Sequence, residues 1–317
     1  MPFDRRRFLK TISTGAVGLG VASSMLGSNS AKAAKSNASR QEPLQTASSP
    51  VFQLGLAAYS FKPHFEFNKG KAQNPLDGKP IDMFGFIDYC ANQHCAAELT
   101  SYFFPPDADE KYFHRVKRYA YLNGVPIVGT AIGNNFTIGK GEKLNQQIAD
   151  AKLWIDRAVQ MGAPHIRFFA GTREQLEAAP DNMKIAIESL QQCVDYAAKS
   201  AIFIGVENHG KLTAAQVLEI VKGIDSDWFG VNLDTGNFIS DDPYADLAKC
   251  APFAVNVQVK IKMINDSGKK YDADLERVSK ILADANYRGN VVMEYEEEKP
   301  FENVAGAMSQ LREYFGS

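Results

Sequence analysis

Four oxygen-bearing side chains, Glu207, Asp234, Gln258 and Glu294, recur at intervals of about one βα unit along the second half of the chain. Each stands late in a short apolar run that reads as a β-strand: 202-207, 229-234, 255-261 and 290-295. Neighbouring strand ends would bring the four together. Carboxylates at close quarters repel one another, and burying them without a counter-charge is costly. A divalent cation removes that cost. Carboxylate and amide oxygens are hard ligands, so Mn2+ suits the set best, with Mg2+ or Co2+ as alternatives and Zn2+ less suited.

The elements that must hold these residues repeat along the chain. Earlier apolar runs at 52-59, 96-100, 125-131 and 165-170 bring the strand-like segments to eight. Amphipathic helical stretches alternate with them, for example 144-161, 183-199, 213-223, 274-285 and 302-315. Eight βα units over 51-317 predict the α/β class and a single closed (β/α)8 TIM barrel. Parity places the polar set inward. Glu207 and His209 fall with Gly205, opposite Ile204 and Val206. Asn232 and Asp234 oppose Val231 and Leu233, and Asn256, Gln258 and Lys260 oppose Val257 and Val259. The segment 62-80 is a polar loop expected to lie over the barrel mouth.

Composition narrows the partners. A net charge of −2 gives no basic field for nucleic acid. The four cysteines, Cys90, Cys95, Cys193 and Cys250, are too scattered for a disulfide framework or a zinc ribbon. Asp4-Arg5-Arg6-Arg7-Phe8-Leu9-Lys10, a weakly apolar run to Gly27 and then Ala31-Lys32-Ala33 resemble a twin-arginine export signal over 1-33. That resemblance implies passage through the twin-arginine translocase and a periplasmic or otherwise exported protein, a route that would let a metal be loaded before export. The run is too short and too poor in large apolar residues for a stable membrane span. Residues 34-50 read as a disordered tether.

The motifs Val206-Glu207-Asn208-His209-Gly210, Leu233-Asp234-Thr235-Gly236-Asn237, Val257-Gln258-Val259-Lys260 and Val292-Met293-Glu294-Tyr295 carry a family resemblance. The sequence resembles the sugar phosphate isomerase/epimerase family of the xylose-isomerase-like barrels across the whole mature chain. The resemblance implies that Glu207, Asp234, Gln258 and Glu294 are metal ligands, with Gln258 standing where many epimerases have His. It also implies that Glu207 and Glu294 exchange a carbon-bound proton through a metal-bound enediolate. An exported sugar isomerase or epimerase is the expected function. A 3-keto-glycoside lyase or hydratase using β-elimination at the same site, and a non-catalytic sugar-binding barrel, are the alternatives.

Further residues are candidates for contact with a small sugar or glycoside. Lys260 is inward by parity and could bind a substrate oxygen or snorkel structurally. His209 could meet substrate or be a hydrogen-bonded structural histidine. Glu98 on the second strand and Arg167 on the fourth also point inward, to pair with each other or with sugar hydroxyls. His64 and Lys62 are candidates for the rim, and Glu296 is the inward member of Glu296-Glu297-Glu298. Association into a homo-oligomer is compatible with the sequence but not specified by it.

Overall fold

In the computed structural model, which describes residues 52–316, eight parallel strands close on themselves. The export-signal and tether segments, 1-33 and 34-50, lie outside the described residues. The strands are β1 (Gln53–Ala57), β2 (Ala96–Thr100), β3 (Ile127–Ala131), β4 (His165–Phe168), β5 (Phe203–Glu207), β6 (Phe229–Asp234), β7 (Ala254–Val259) and β8 (Asn290–Met293). Each pairs with the next in chain order, and β1 closes the ring on β8 through Gln53↔Asn290 to Leu56↔Met293.

The principal helix after each strand is α1 (Met83–Asn92), α2 (Glu110–Leu122), α3 (Glu142–Met161), α4 (Asn182–Ala197), α5 (Ala214–Lys222), α6 (Pro243–Cys250), α7 (Leu275–Asp284) and α8 (Pro300–Phe315). Their starts are written in the sequence. Asp82, Asp109, Asp242 and Asp274 each accept a first-turn amide of α1, α2, α6 and α7. Thr213 and Gln216 form a reciprocal capping box at α5.

One parity of each strand faces the helices. Ile204, Val206, Val231, Leu233, Val257 and Val259 are fully or almost fully buried in that layer, and each contributes roughly 1.5–3 kcal/mol by leaving water. The other parity fills the barrel. There a small apolar plug of Ala57, Ala96, Val128 and Val292 forms a cluster separate from the main layer. The rest of the interior is largely polar: His165, Arg167, Glu98, Asn232, Asn256 and Gln258 are all buried.

Two strands end sooner than the apolar runs suggest. β7 stops at Val259 and β8 at Met293, so Lys260 and Glu294 are the first residues of the loops at the C-terminal mouth. After Val259 the chain turns into a hairpin, Lys262–Ile264 against Lys270–Asp272. After Met293 the amide of Tyr295 takes the Ser60 hydroxyl at 2.9 Å instead of a strand partner. The loop after β1 contains a second small hairpin, Phe67–Asn68 against Lys71–Ala72. It turns through Lys69 (φ 53°) and Gly70 (φ 75°), and the Lys69 amide donates to the Tyr102 carbonyl at 2.8 Å, tying it to the loop after β2. Among the described residues, no helix is long and apolar enough to cross a membrane.

Candidate active site

The strand ends of β5, β6 and β7, with the first residue beyond β8, bring Glu207, Asp234, Gln258 and Glu294 into one hydrogen-bonded and ion-paired cluster. Glu207 Oε2 lies 2.8 Å from Arg167 Nε, both side chains 5% exposed. Its other oxygen accepts from Asn237 Nδ2 at 2.8 Å. Asp234 Oδ1 accepts from the Gly236 amide at 2.8 Å. Oδ2 is fully buried and faces the Lys260 ammonium, with Nζ at 3.2 Å. The same ammonium is 3.5 Å from Glu294 Oε1 and 3.0 Å from Glu296 Oε2, and it donates to Asn237 Oδ1. Gln258 Nε2 donates to Glu294 Oε2 at 2.8 Å and reaches the two oxygens of Glu98 at 3.3 and 3.5 Å.

Local sequence explains this convergence. Asn208 clamps the ends of β5 and β6, accepting from the Asp234 amide at 2.8 Å and donating to its carbonyl at 2.9 Å. Gly236 leaves room for Lys260: a Cβ there would stand 2.8 Å from Lys260 Cδ. The Lys260 amide donates to Thr235 Oγ1. The Asp-Thr-Gly-Asn stretch therefore supplies a buried carboxylate, a hydroxyl anchor, space for the lysine and an amide that bridges Lys260 to Glu207.

Burial and crowding raise the acids. Burial, followed by the charge of Asp234 and offset by Arg167, pushes Glu98 and Glu207 up to about 7. Burial also raises Asp234, against the pull of Lys260. Glu294 is held well above the carboxylate range by burial and by Asp234, despite Lys260. The two cations are raised as well, by the acids beside them. Burial opposes their charge, but Glu207 for Arg167, and Asp234 and Glu294 for Lys260, hold both above their usual values.

Four buried carboxylates (Glu98, Glu207, Asp234, Glu294) thus face two cations, Arg167 and Lys260, leaving two negative charges in balance if all are ionised. That deficit and the hard oxygen donors fit a divalent cation. The present side-chain arrangement is not yet a ligand cage. Among the described residues, no three His, Cys, Asp or Glu side chains converge as metal ligands. Lys260 stands between Asp234 and Glu294, and Gln258 turns its nitrogen toward the acids while its oxygen accepts from Asn232.

The remaining candidates divide. Arg167 pairs with Glu207, not Glu98; its second nitrogen, Nη1, donates to the Ile132 carbonyl, and its guanidinium lies 4.1 Å over the Phe169 ring. Phe169 in turn meets the His209 ring at 4.1 Å. Burial, then Arg167 and Lys260, hold His209 down to about 4, so it is neutral near pH 7. His64 is away from the carboxylates. It is 2% exposed, its Nδ1 is 3.1 Å from the Lys79 carbonyl, and its ring packs on Phe301. With Lys62 it lines an adjacent cleft of about 580 Å³ that also reaches Tyr59, Tyr295 and Glu296.

Asn237, Asn232, Asn256 and His165 belong to the site or its supports, although sequence reasoning gave them no role. Parity had already turned Asn232 and Asn256 inward, and Asn237 closes the Asp-Thr-Gly-Asn motif. His165 is 3% exposed and neither ring nitrogen has a hydrogen-bond partner.

A closed eight-stranded barrel with acids gathered at its C-terminal mouth now meets an independent match: residues 85–314 fit the model of the xylose isomerase-like TIM barrel. The chain belongs to that family. Among solved structures, members of this fold align over most of both chains. D-psicose 3-epimerase with D-tagatose from Clostridium cellulolyticum H10 is 15% identical with a TM-score of 0.65, covering 84% of this chain and 100% of its own. 3-keto-D-glucoside 4-epimerase from E. coli is 17% identical with a TM-score of 0.60, covering 83% and 99%. A xylose isomerase-like TIM barrel protein from Mycobacterium smegmatis in complex with magnesium is 15% identical with a TM-score of 0.60, covering 84% and 97%. At these identities the likeness establishes the fold. Among curated proteins, none matches the sequence.

Proposed function

We propose that this xylose isomerase-like barrel is a divalent-metal-dependent sugar isomerase or epimerase that moves a proton at a carbon beside a carbonyl. The observation that carries this reading is the burial of four acids, Glu98, Glu207, Asp234 and Glu294, beside only two cations, Arg167 and Lys260. Glu207, Asp234, Gln258 and Glu294 would hold the ion, for which Mn2+, Mg2+ or Co2+ is suited. When bound, such an ion polarises a substrate carbonyl and a neighbouring hydroxyl.

The chain's own residues handle the proton. Glu207 and Glu294 are the two carriers. One takes the carbon-bound proton as its electrons move into the enediolate, and the other returns a proton to the opposite face or to the adjacent carbon. Asn237 aims Glu207. Lys260, with 12% of its side chain exposed, is the cation best placed to meet a substrate oxygen. His209, neutral and packed against the Phe169 ring, offers a surface for a sugar face.

A second reading uses the same carriers for β-elimination. A 3-keto-glycoside has an acidic proton at C2 and a leaving aglycone at C1, so removal of the first with expulsion of the second gives an unsaturated ketone that water can hydrate. The resemblance of 1-33 to a twin-arginine signal favours it, because an exported chain in the periplasm would meet glycosides from outside.

Elemental mass spectrometry of the purified chain, followed by incubation with keto-sugars and keto-glycosides in D2O, tests both. Bound divalent metal with deuterium entering carbon supports proton transfer, and released aglycone selects elimination. Bound metal with neither exchange nor release would leave a sugar-binding barrel without catalysis. A chain free of metal after incubation with Mn2+, Mg2+, Co2+ and Zn2+ would overturn the mechanism.

A further inference from the structure

Asn256, Asn232 and Gln258 form a line of three amides inside the barrel, leading to the acids. Asn256 Nδ2 donates to Asn232 Oδ1 at 2.8 Å. Asn232 Nδ2 donates to Gln258 Oε1 at 2.7 Å. Gln258 Nε2 donates to Glu294 Oε2 at 2.8 Å. All three residues are at most 1% exposed.

The sense of this line is set at the acid end. A carboxyl group keeps an oxygen that only accepts whether or not the other carries a proton, and Gln258 presents its nitrogen there, to Glu294 Oε2 and to the two Glu98 oxygens. Its oxygen must then accept from Asn232, and the oxygen of Asn232 must accept from Asn256. At the far end Asn256 Oδ1 is buried with no partner. Reversing all three amides would keep both amide–amide hydrogen bonds with donors and acceptors exchanged. It would also turn Gln258 Oε1, the atom able to bind a hard cation, toward the acids.

We propose that Asn232 and Asn256 are positioning residues that set which end of the Gln258 amide faces the acids. Without metal it is the nitrogen; with a divalent ion it is the oxygen, and the three amides turn together. This rests on the metal-dependent reading above. Turning Gln258 alone would set its nitrogen against Asn232 Nδ2, two donors facing each other in a buried space, which costs about 1–3 kcal/mol for a group left unpaired. The turn therefore passes down the line. Reversal replaces the orphaned Asn256 oxygen with an orphaned nitrogen, so the two senses exchange one unsatisfied group for another. The charge that arrives at the acid end decides between them.

Joint X-ray and neutron diffraction on the wild-type chain, with and without Mn2+, reads amide oxygen and nitrogen directly. The expected result is the sense described here without Mn2+ and all three amides reversed with it. Mn2+ bound with Gln258 alone turned, or with none turned, overturns the relay and leaves the metal reading intact. A wild-type chain that binds no Mn2+ overturns the metal reading and the relay together.

Calorimetric Mn2+ titration of Asn256→Asp adds a second readout. A carboxylate there accepts only, favouring the reversed sense, and should tighten binding about tenfold, the worth of roughly one hydrogen bond. The same substitution beside Gln258→Leu measures the effect of the added charge alone and should give less than about threefold. Equal gains in both backgrounds would overturn the relay. If Asn256→Asp does not fold, the diffraction pair decides.

Discussion

Lys260 Nζ lies 3.2 Å from Asp234 Oδ2, a fully buried carboxylate oxygen. The ammonium compensates this acid and its neighbour Glu294 in the very space where an ion shared by the two would sit. Lysine and metal are therefore competitors for the same charge. Lys260→Met should lower the melting temperature of the metal-free chain and tighten Mn2+ binding by about tenfold, since one opposing charge is removed. Calorimetry on both chains checks this; weaker Mn2+ binding by the variant would instead make Lys260 a partner of the bound state.

Arg167 and Glu207 form the most deeply enclosed ion pair of the site. Removing one member of a buried pair strands the other, at a cost of about 3–5 kcal/mol. Arg167→Met should show that loss in urea unfolding at pH 7. Arg167→Lys should recover only part of it, because lysine cannot at once meet Glu207, bond the Ile132 carbonyl and lie flat on Phe169. Full recovery by lysine would reduce the role of the arginine to charge.

Glu207→Gln and Glu294→Gln keep shape and remove a proton carrier. Each should cut solvent deuterium exchange into the substrate by roughly 100-fold or more. Circular dichroism should remain that of the wild type. Unchanged exchange in both variants would move the proton chemistry elsewhere in the mouth, with Glu98 the next acid to examine.

His165 sits under Arg167 with both ring nitrogens unpartnered, and burial, followed by Arg167, lowers it to about 3. The folded value is below the unfolded value near 6.5. The unfolded chain therefore binds a proton that the folded chain refuses, and stability falls as pH drops from about 6.5 toward 3. His165→Leu should remove that part of the acid sensitivity, raising the melting temperature relative to wild type more at pH 4.5 than at pH 7.5. An equal shift at the two values would mean that His165 does not titrate on unfolding in this range.

Much of this architecture was legible because strand parity is a physical constraint. Val257 and Val259 must face the helices, so Gln258 must face inward, and the same alternation placed Glu207 and Asp234. The strand ends were less legible. Lys260 leaves the ladder as the chain enters the hairpin at 262-272, and one residue past Glu294, whose own amide still donates to the Val259 carbonyl, the Ser60 hydroxyl captures the Tyr295 amide. Partner choice was also beyond parity. Arg167 and Glu98 both point inward, yet Arg167 takes Glu207 from the adjacent strand, while Glu98 faces Gln258 from across the barrel. His64 was placed at the rim by its loop, but its hydrogen bond to Lys79 and its packing on Phe301 depend on how that loop and α8 meet.

The surplus of acid over base in the mouth has a consequence for selectivity. A divalent ion would bring the four buried acids and two bases to neutrality, and Glu296 at the rim, 3.0 Å from Lys260, would tip the balance negative again. A ligand bearing a phosphate or sulfate ester would approach this cluster against an unfavourable field, whereas an uncharged polyol would pass without that toll. The barrel entrance would then act as a filter by charge, admitting neutral sugars ahead of their phosphorylated counterparts.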